Sequence, residues 1–437
     1  MGGARVLVYA RWELLKTSSL SPRRRPISAN LILQFALSCP KLTFSCDGGD
    51  VMTQVDEMHA VDARLDEEWQ IVERALPSGW QMKARELGAL RRTRGIKDAS
   101  VLLRVMLIHL ADGCGLRETA ARAKLAGLAE VSDVAILKRL NGCGAWFEWM
   151  IRGIQQQFPE TSPPPLIAGH QLRIVDGTMV SEPGDTGSRW RLHYSVRLPD
   201  LRCDEVIVTT PKEGESLKRY AVNHGDILMA DRGYAHPPGI AHVVDAGGEV
   251  IIRANLVTLP LVQRDGGAFD ILTHLRQLGV AETGDWPVAV KAGKRLISGR
   301  LCAIKKSAAA AEKGQQRVRR ESQRGQWQVQ PQTLEAAAYV FVFTTVGADY
   351  SAARILELYR VRWQIELTFK RLKSLVSLGH LKKHDDVAAR SWLQGKLLVA
   401  FLIDRLLALA ERVSPWGYPF EEGQTPPLPM AGDRAHA

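Results

Sequence analysis

The sequence predicts an α/β protein whose central strands follow an all-helical N-terminal domain and are interrupted by a mainly β insertion. Three observations predict it. Between residues 168 and 254, short runs of strand character succeed one another: LRIVDGTMV, WRLHYSVRL, CDEVIVTT, DILMADRGY and then EVIIRA at 249–254. Upstream, residues 62 to 155 read as helices only. Downstream, YVFVFTTV at 339–346 feeds SAARILELYRVRWQIELTFKRLKSL, which lacks Gly and Pro and reads as one long helix with Ser351 as its cap.

Taken in order, residues 1–51 mix SSLSPRRRP with the apolar LILQFALSCP and show no periodicity that joins a core. They are expected to be a non-native or disordered extension, with translation starting at Met52 or Met58. The helical domain spans 52–160. In it ASVLLRVMLIHLAD forms an apolar helix, and LRETAARAKLAG and LAEVSDVAILKRLNG form a helix-turn-helix shape whose second helix is capped by Ser132. Arg117, Arg122, Lys124, Lys138 and Arg139 are its candidate phosphate contacts. Residues 168–254 form the first part of the core, with GESLKRYAVNH as a short helix before the DILMADRGY strand.

Turn signals at Asp265-Gly266-Gly267, Thr283-Gly284-Asp285 and Ala292-Gly293-Lys294 mark 255–337 as an inserted β-rich subdomain, too long for a loop. Its stretch from Lys305 to Arg324 holds seven Lys or Arg against two Glu, and Trp286 and Trp327 are candidates for stacking on an unpaired base. The second part of the core is 338–412. There SWLQGKLLVAFLIDRLLALAER is broken by Lys396, Asp404 and Arg405, which fits a buried core or dimer helix better than a membrane span. The Pro-rich residues 413–437 are expected to be a disordered tail.

Composition narrows the partner. The formal charge is +11, and residues 1–51 contribute seven cations against three acids, so +7 remains without them. A basic chain of this kind suits nucleic acid. The six cysteines include no Cys-x2-Cys pair, so neither a zinc site nor a disulfide framework is indicated.

The most informative segment is YRVRWQIELTFKRLK. On a regular helix Tyr359, Arg362, Glu366 and Lys373 fall within roughly 60° of one another, with Trp363 and Lys370 beside them. A carboxylate among cations and ring faces suits a surface that holds a metal ion beside a phosphodiester, although charged helix faces are commonly just solvated. Two further acids close apolar runs: Asp176 at Asp-Gly in LRIVDGTMV, and Asp231 at Asp-Arg-Gly-Tyr in DILMADRGY. A strand-end Asp alone is an ordinary turn residue. Two of them with a helical Glu make a candidate set of oxygen ligands for Mg²⁺ or Mn²⁺.

In these residues the chain resembles the DDE transposases of bacterial insertion sequences, in particular the insertion-sequence-4 branch with its Tyr-Arg-Glu-Lys (YREK) signature, over roughly residues 100 to 410. The resemblance implies a ribonuclease-H-like catalytic core, which the strand order matches. It also implies two Mg²⁺ ions, replaceable by Mn²⁺, on Asp176, Asp231 and Glu366 as catalytic and metal-binding residues, and DNA contacts from Tyr359, Arg362 and Lys373, with Trp363 and Lys370 alongside. The implied partners are double-stranded DNA, namely the terminal inverted repeats and the target, and a second copy of the chain in a homodimeric complex. The implied reaction is cut-and-paste transposition through a hairpin, in the bacterial cytoplasm at the nucleoid, with no membrane and no energy cofactor. A metal nuclease of the same fold, an inactive end-binding remnant and a transcription regulator are the alternatives.

Overall fold

The structure, a computed structural model, describes residues 69–157, 164–181, 189–210, 212–379, 381 and 385–410. The extension 1–51 and the tail 413–437 lie outside them. By contact, the described residues fall into two units, one of residues 164–393 and one of 69–157 together with 394–410.

The smaller unit is helical: α1 Trp80–Glu86, α2 Ala99–Leu110, α3 Leu116–Leu125 and α4 Asp133–Gln156. Ser132 caps α4 by accepting from the backbone N–H of Ala135 at 3.2 Å. Trp146 of α4 stacks on Trp80 at 6.0 Å between ring centres and donates its indole N–H to the Trp80 carbonyl. That bond satisfies the one polar atom of a fully buried ring. Residues 394–402 are almost wholly buried, and Lys396, itself buried, donates to the carbonyl of Leu110. A lysine used in this way belongs to a protein core, and among the described residues no helix is long and apolar enough to cross a membrane.

The larger unit is built on a nine-stranded mixed sheet in the order β3-β2-β1-β4-β5-β9-β8-β7-β6. Its strands are β1 Gln171–Ser181, β2 Arg189–Arg197, β3 Arg202–Thr209, β4 Asp226–Ala230, β5 Glu249–Arg253, β6 Leu261–Val262, β7 Thr283–Ala292, β8 Arg295–Lys305 and β9 Tyr339–Thr344. β1, β4 and β5 are parallel; every other pairing is antiparallel. All five residues of β4 are buried, as expected of a parallel strand at the centre of a sheet. Helix α5, Pro237–Asp245, makes the crossover from β4 to β5.

Three local expectations are corrected. LRIVDGTMV does not stop at Asp-Gly: β1 continues to Ser181 because β2 supplies an antiparallel ladder there, pairing Asp176 with Tyr194 and Gly177 with His193. GESLKRYAVNH is not a helix beyond a three-residue 3-10 turn at Leu217–Arg219. Side-chain carboxylates capture the backbone donors a helix would use, Glu205 taking the N–H of Ala221 at 3.1 Å and Asp226 that of Asn223 at 2.9 Å.

The third correction concerns 255–337, expected to be mainly β. It contains α6 Ile271–Leu275, the 18-residue α7 Ala308–Gly325 and α8 Pro331–Ala336, and its strands extend the central sheet through β8 on β9. The basic stretch from Lys305 to Arg324 is mostly α7, which alternation of short pieces did not suggest.

After β9, Ser351 caps α9 Ala352–Arg360 by accepting from Arg354 N–H at 3.3 Å. A 3-10 turn at Val361–Trp363 joins α9 to α10 Gln364–Leu375, and α11 Asp386–Ala410 follows. The long helix read from the sequence is thus helical throughout, but overwound at its middle.

Candidate active site

The site starts from strand register. Parallel β1 and β4 pair Val175 with Ala230 at the last step of their ladder, so Asp176 and Asp231 stand side by side just past it. This is the carboxyl end of neighbouring parallel strands, where open α/β sheets hold their ligands. Asp231 then opens the 3-10 turn Arg232–Tyr234.

Packing brings the third acid. Ile365, Phe369 and Leu372 form the buried face of α10, which lies on β1, and the Phe369 ring meets the Tyr194 ring edge-on at 6.0 Å. Each such buried side chain contributes roughly 1.5–3 kcal/mol, well above an exposed ion pair, so burial sets the rotation of the helix. The adjoining face, roughly 100° round the helix, then carries Glu366, Lys370 and Lys373. Together with Asp176, Gly177, Phe369 and Ser374 they line an open groove of about 580 Å³.

Tyr359 and Arg362 turn onto the acids. Tyr359 is buried and donates its hydroxyl to Asp231 Oδ1 at 3.2 Å. Arg362, only 13% exposed in its side chain, donates to Glu366 Oε1 at 2.6 Å and stands 3.5 Å from Asp176 Oδ2. The 3-10 turn brings residues three apart into line, and the Arg362 guanidinium lies 6.0 Å from the Tyr359 ring centre. Arg362 therefore bridges an acid of the sheet to the acid of the helix. Among the described residues no three His, Cys, Asp or Glu side chains are gathered at metal-binding distance. Trp363 is 43% exposed and is not part of the groove lining.

The two aspartates differ electrically. Burial pushes Asp176 up to about 6, against the Gly177 N–H and the Arg362 guanidinium, with Glu215 and Asp231 adding to the rise. Burial acts on Asp231 too. There it is outweighed by the Arg232 N–H and the guanidinium groups of Arg362, Arg253 and Arg232, and the carboxyl lies below its usual range.

Sequence reading missed Glu215. Its two oxygens would lie 3.2 Å from a Cβ added at Gly177 and 2.2 Å from one at Gly233. The carboxylate is thus wedged between the backbones that follow Asp176 and Asp231, and a side chain at residue 233 would have to displace it. Burial raises its pKa, countered by Arg191 and reinforced by Asp231. The available signal was a Glu flanked by Gly and Ser shortly before a strand that ends in Asp, which is too common a pattern to single out.

The remaining polar and aromatic side chains have the following surroundings. His193 is fully buried with Nε2 hydrogen-bonded to the Thr209 hydroxyl at 2.9 Å, and burial with Arg219 and Arg191 lowers its pKa to about 4. It is a neutral core residue. Trp286 meets His274 edge-on at 5.6 Å, and His274 stacks on Phe269 at 4.1 Å, in a second groove inside 255–337; Trp327 is 46% exposed. In the helical unit, Arg117 pairs with Asp133, Arg122 with Glu118 and Asp112, and Lys124 with Glu130. Arg139 reaches the carbonyls of Arg92 and Arg94, while Lys138 is exposed.

Comparison with known proteins finds the following similarities. The family described as Transposase DDE domain matches residues 211–402, a span that includes Asp231 and Glu366 and begins after Asp176. The putative transposase InsL for insertion sequence element IS186A of Escherichia coli (strain K12) is 36% identical over 339 residues, which cover 76% of this chain and 91% of that protein. The transposase for insertion sequence element IS421 of Escherichia coli is 36% identical over 340 residues with the same coverage. At a greater distance, the transposase for insertion sequence element IS231F of Bacillus thuringiensis subsp. israelensis is 25% identical over 194 residues, 41% of each chain.

Proposed function

The chain belongs to the DDE transposases of insertion sequences, and on that premise we propose that it cuts DNA at the ends of its element and joins the freed 3′ ends to target DNA, using Asp176, Asp231 and Glu366. The observation that carries this reading is the register of β1 and β4, which sets two aspartates side by side, with Asp176 in a groove that it shares with Glu366, Lys370 and Lys373 of α10. We assign the core to the ribonuclease-H-like type and the Tyr359, Arg362, Glu366 and Lys373 set to the insertion-sequence-4 branch.

The donor set of three carboxylates fits hard divalent cations, and two Mg²⁺ ions, or Mn²⁺ in their place, would activate the attacking oxygen and stabilise the leaving 3′ oxygen. The protein's own groups then have separate tasks. Tyr359 orients Asp231 through its hydroxyl. Arg362 holds Asp176 and Glu366 together while the groove is empty of DNA, and turns to a phosphate when one enters, since a guanidinium binds carboxylate and phosphate by the same fork. Lys370 and Lys373 neutralise phosphates along the groove. Glu215 acts as a fourth carboxylate that spaces the backbones behind Asp176 and Asp231. The helical unit binds the terminal repeats, the active complex is a homodimer, and the protein works in the cytoplasm at the nucleoid.

The test is a joining assay. Duplexes pre-cut at the element end are incubated with a target plasmid and Mg²⁺, and joined products are expected. Cutting without joined products would assign the site to a nuclease instead.

A further inference from the structure

A second group of open cations in the helical unit lies outside the α3–α4 pair. They lie on the connection between α1 and α2, in RRTRGIK at 91–97. Arg91, Arg92, Arg94 and Lys97 are exposed, and among the described residues none of them makes an ion pair. The nearest acids on either side are already engaged: Glu86 with Lys83, and Asp98 as the cap of α2, accepting from Val101 N–H at 2.8 Å.

The loop is also held in shape. Arg139 of α4 reaches the carbonyls of Arg92 and Arg94, and Ile96 is buried at 1% exposure. Gly95 has φ +77°, and a Cβ there would lie 2.8 Å from Val131 Cγ1, so only glycine lets the backbone come this close to the start of α4. A backbone held in this way spares the cost of ordering the loop on binding.

Chemistry selects the partner. Duplex DNA carries a charge every ~1.7 Å of its axis, and three of the four cations are Arg, whose planar fork suits phosphate oxygens. The loop offers no aromatic ring for stacking an unpaired base, and its one apolar residue is buried, which leaves nothing to insert into a lipid surface. We propose that residues 91–97 form a preformed contact for the phosphate backbone of duplex DNA, in addition to the groove cations. The inference rests on the proposed function for the identity of the DNA, and it adds the element through which the helical unit grips it.

The test measures binding of the full chain to an end-bearing duplex and to an unrelated duplex across a salt titration. Replacing Arg91, Arg92, Arg94 and Lys97 together by Ala should flatten the log–log salt dependence by about 3 to 4 on both duplexes, and Arg92→Ala alone by about 0.9. Lys at the three Arg positions should restore the slope, since Lys also neutralises phosphate. The slope is read from binding alone, so a wild-type protein that never cuts would count against the proposed function and leave the slope result standing. An unchanged slope in Arg92→Ala or in the quadruple variant, with a wild-type melting curve, overturns the inference. So does a loss confined to anionic vesicles or single-stranded DNA.

Discussion

In the helix pair α3–α4 three of the five cations predicted to meet phosphate have acids within reach, Arg117 with Asp133, Arg122 with Glu118 and Asp112, Lys124 with Glu130, while Arg139 is turned to backbone carbonyls and Lys138 is exposed. Along α10, Lys370 and Lys373 line a groove with Asp176 and Glu366 and make no ion pair among the described residues. Both segments look alike as charge patterns on a helix. They differ in what the neighbouring turns contribute: Asp112, Glu130 and Asp133 all come from the ends of α2, α3 and α4, where acids also serve as caps and dipole partners. A row of cations becomes a binding surface only where the adjoining chain leaves it unmatched.

The sharpest way to break this comparison is to remove the unmatched pair. Lys370→Ala with Lys373→Ala should weaken end binding about 30-fold at physiological salt and flatten the salt slope by about 1.8, as two phosphate contacts would. A gel-shift titration showing wild-type affinity would place those lysines on the same footing as the helix pair.

The same contrast exists inside the site, where Asp176 has one guanidinium, Arg362, against its burial and Asp231 has three, Arg362, Arg253 and Arg232. A folded-state pKa of about 6, above the ordinary 3.8, means the folded protein holds the proton more tightly than the unfolded chain. Stability from this group is full below about pH 4 and is lost as pH rises through 6. Without divalent metal, Asp176→Asn should therefore melt higher than wild type at pH 8, with the gap closing towards pH 4. Scanning calorimetry in chelator decides it, and a constant gap across that range would deny that Asp176 carries the shift.

Smaller effects are expected from the paired cations. Arg122→Ala should cost about 1 kcal/mol of stability, since it leaves the largely buried Asp112 without its nearest cation, while end binding stays within about 2-fold of wild type. Lys124→Ala should change neither the melting temperature nor the salt slope, because both partners of that pair are solvated. A slope change in either variant would show that DNA displaces the acids and that pairing in the free protein says little.

Much of this was legible in the sequence, and the exceptions share a cause. Apolar runs ending in Asp231, the caps Ser132 and Ser351, and the helix with Glu366 were readable because each is set by residues within one turn or one strand. The extension of β1 through Asp176-Gly177 depends on β2, and the loss of a helix at 214–224 depends on Glu205 and Asp226. Glu215 depends on two glycines that are 56 residues apart, at 177 and 233. The free loop at 91–97 was unmarked because its cations stand out only once Arg117, Arg122 and Lys124 of α3 are seen to be paired. Tertiary partners decided each of these, and periodicity carries no trace of them.

The central claim is that Asp176, Asp231 and Glu366 act together on DNA ends. The most direct measurement is cleavage of an end-bearing duplex in Mg²⁺ by Asp176→Ala, Asp231→Ala and Glu366→Ala, with end binding followed in parallel. Each should lose at least about 10³-fold in cleavage, the equivalent of several kcal/mol of transition-state stabilisation, while binding holds or tightens as a negative charge leaves the DNA surface. Any one of the three that still cuts at a near-wild-type rate would contradict the account at that residue.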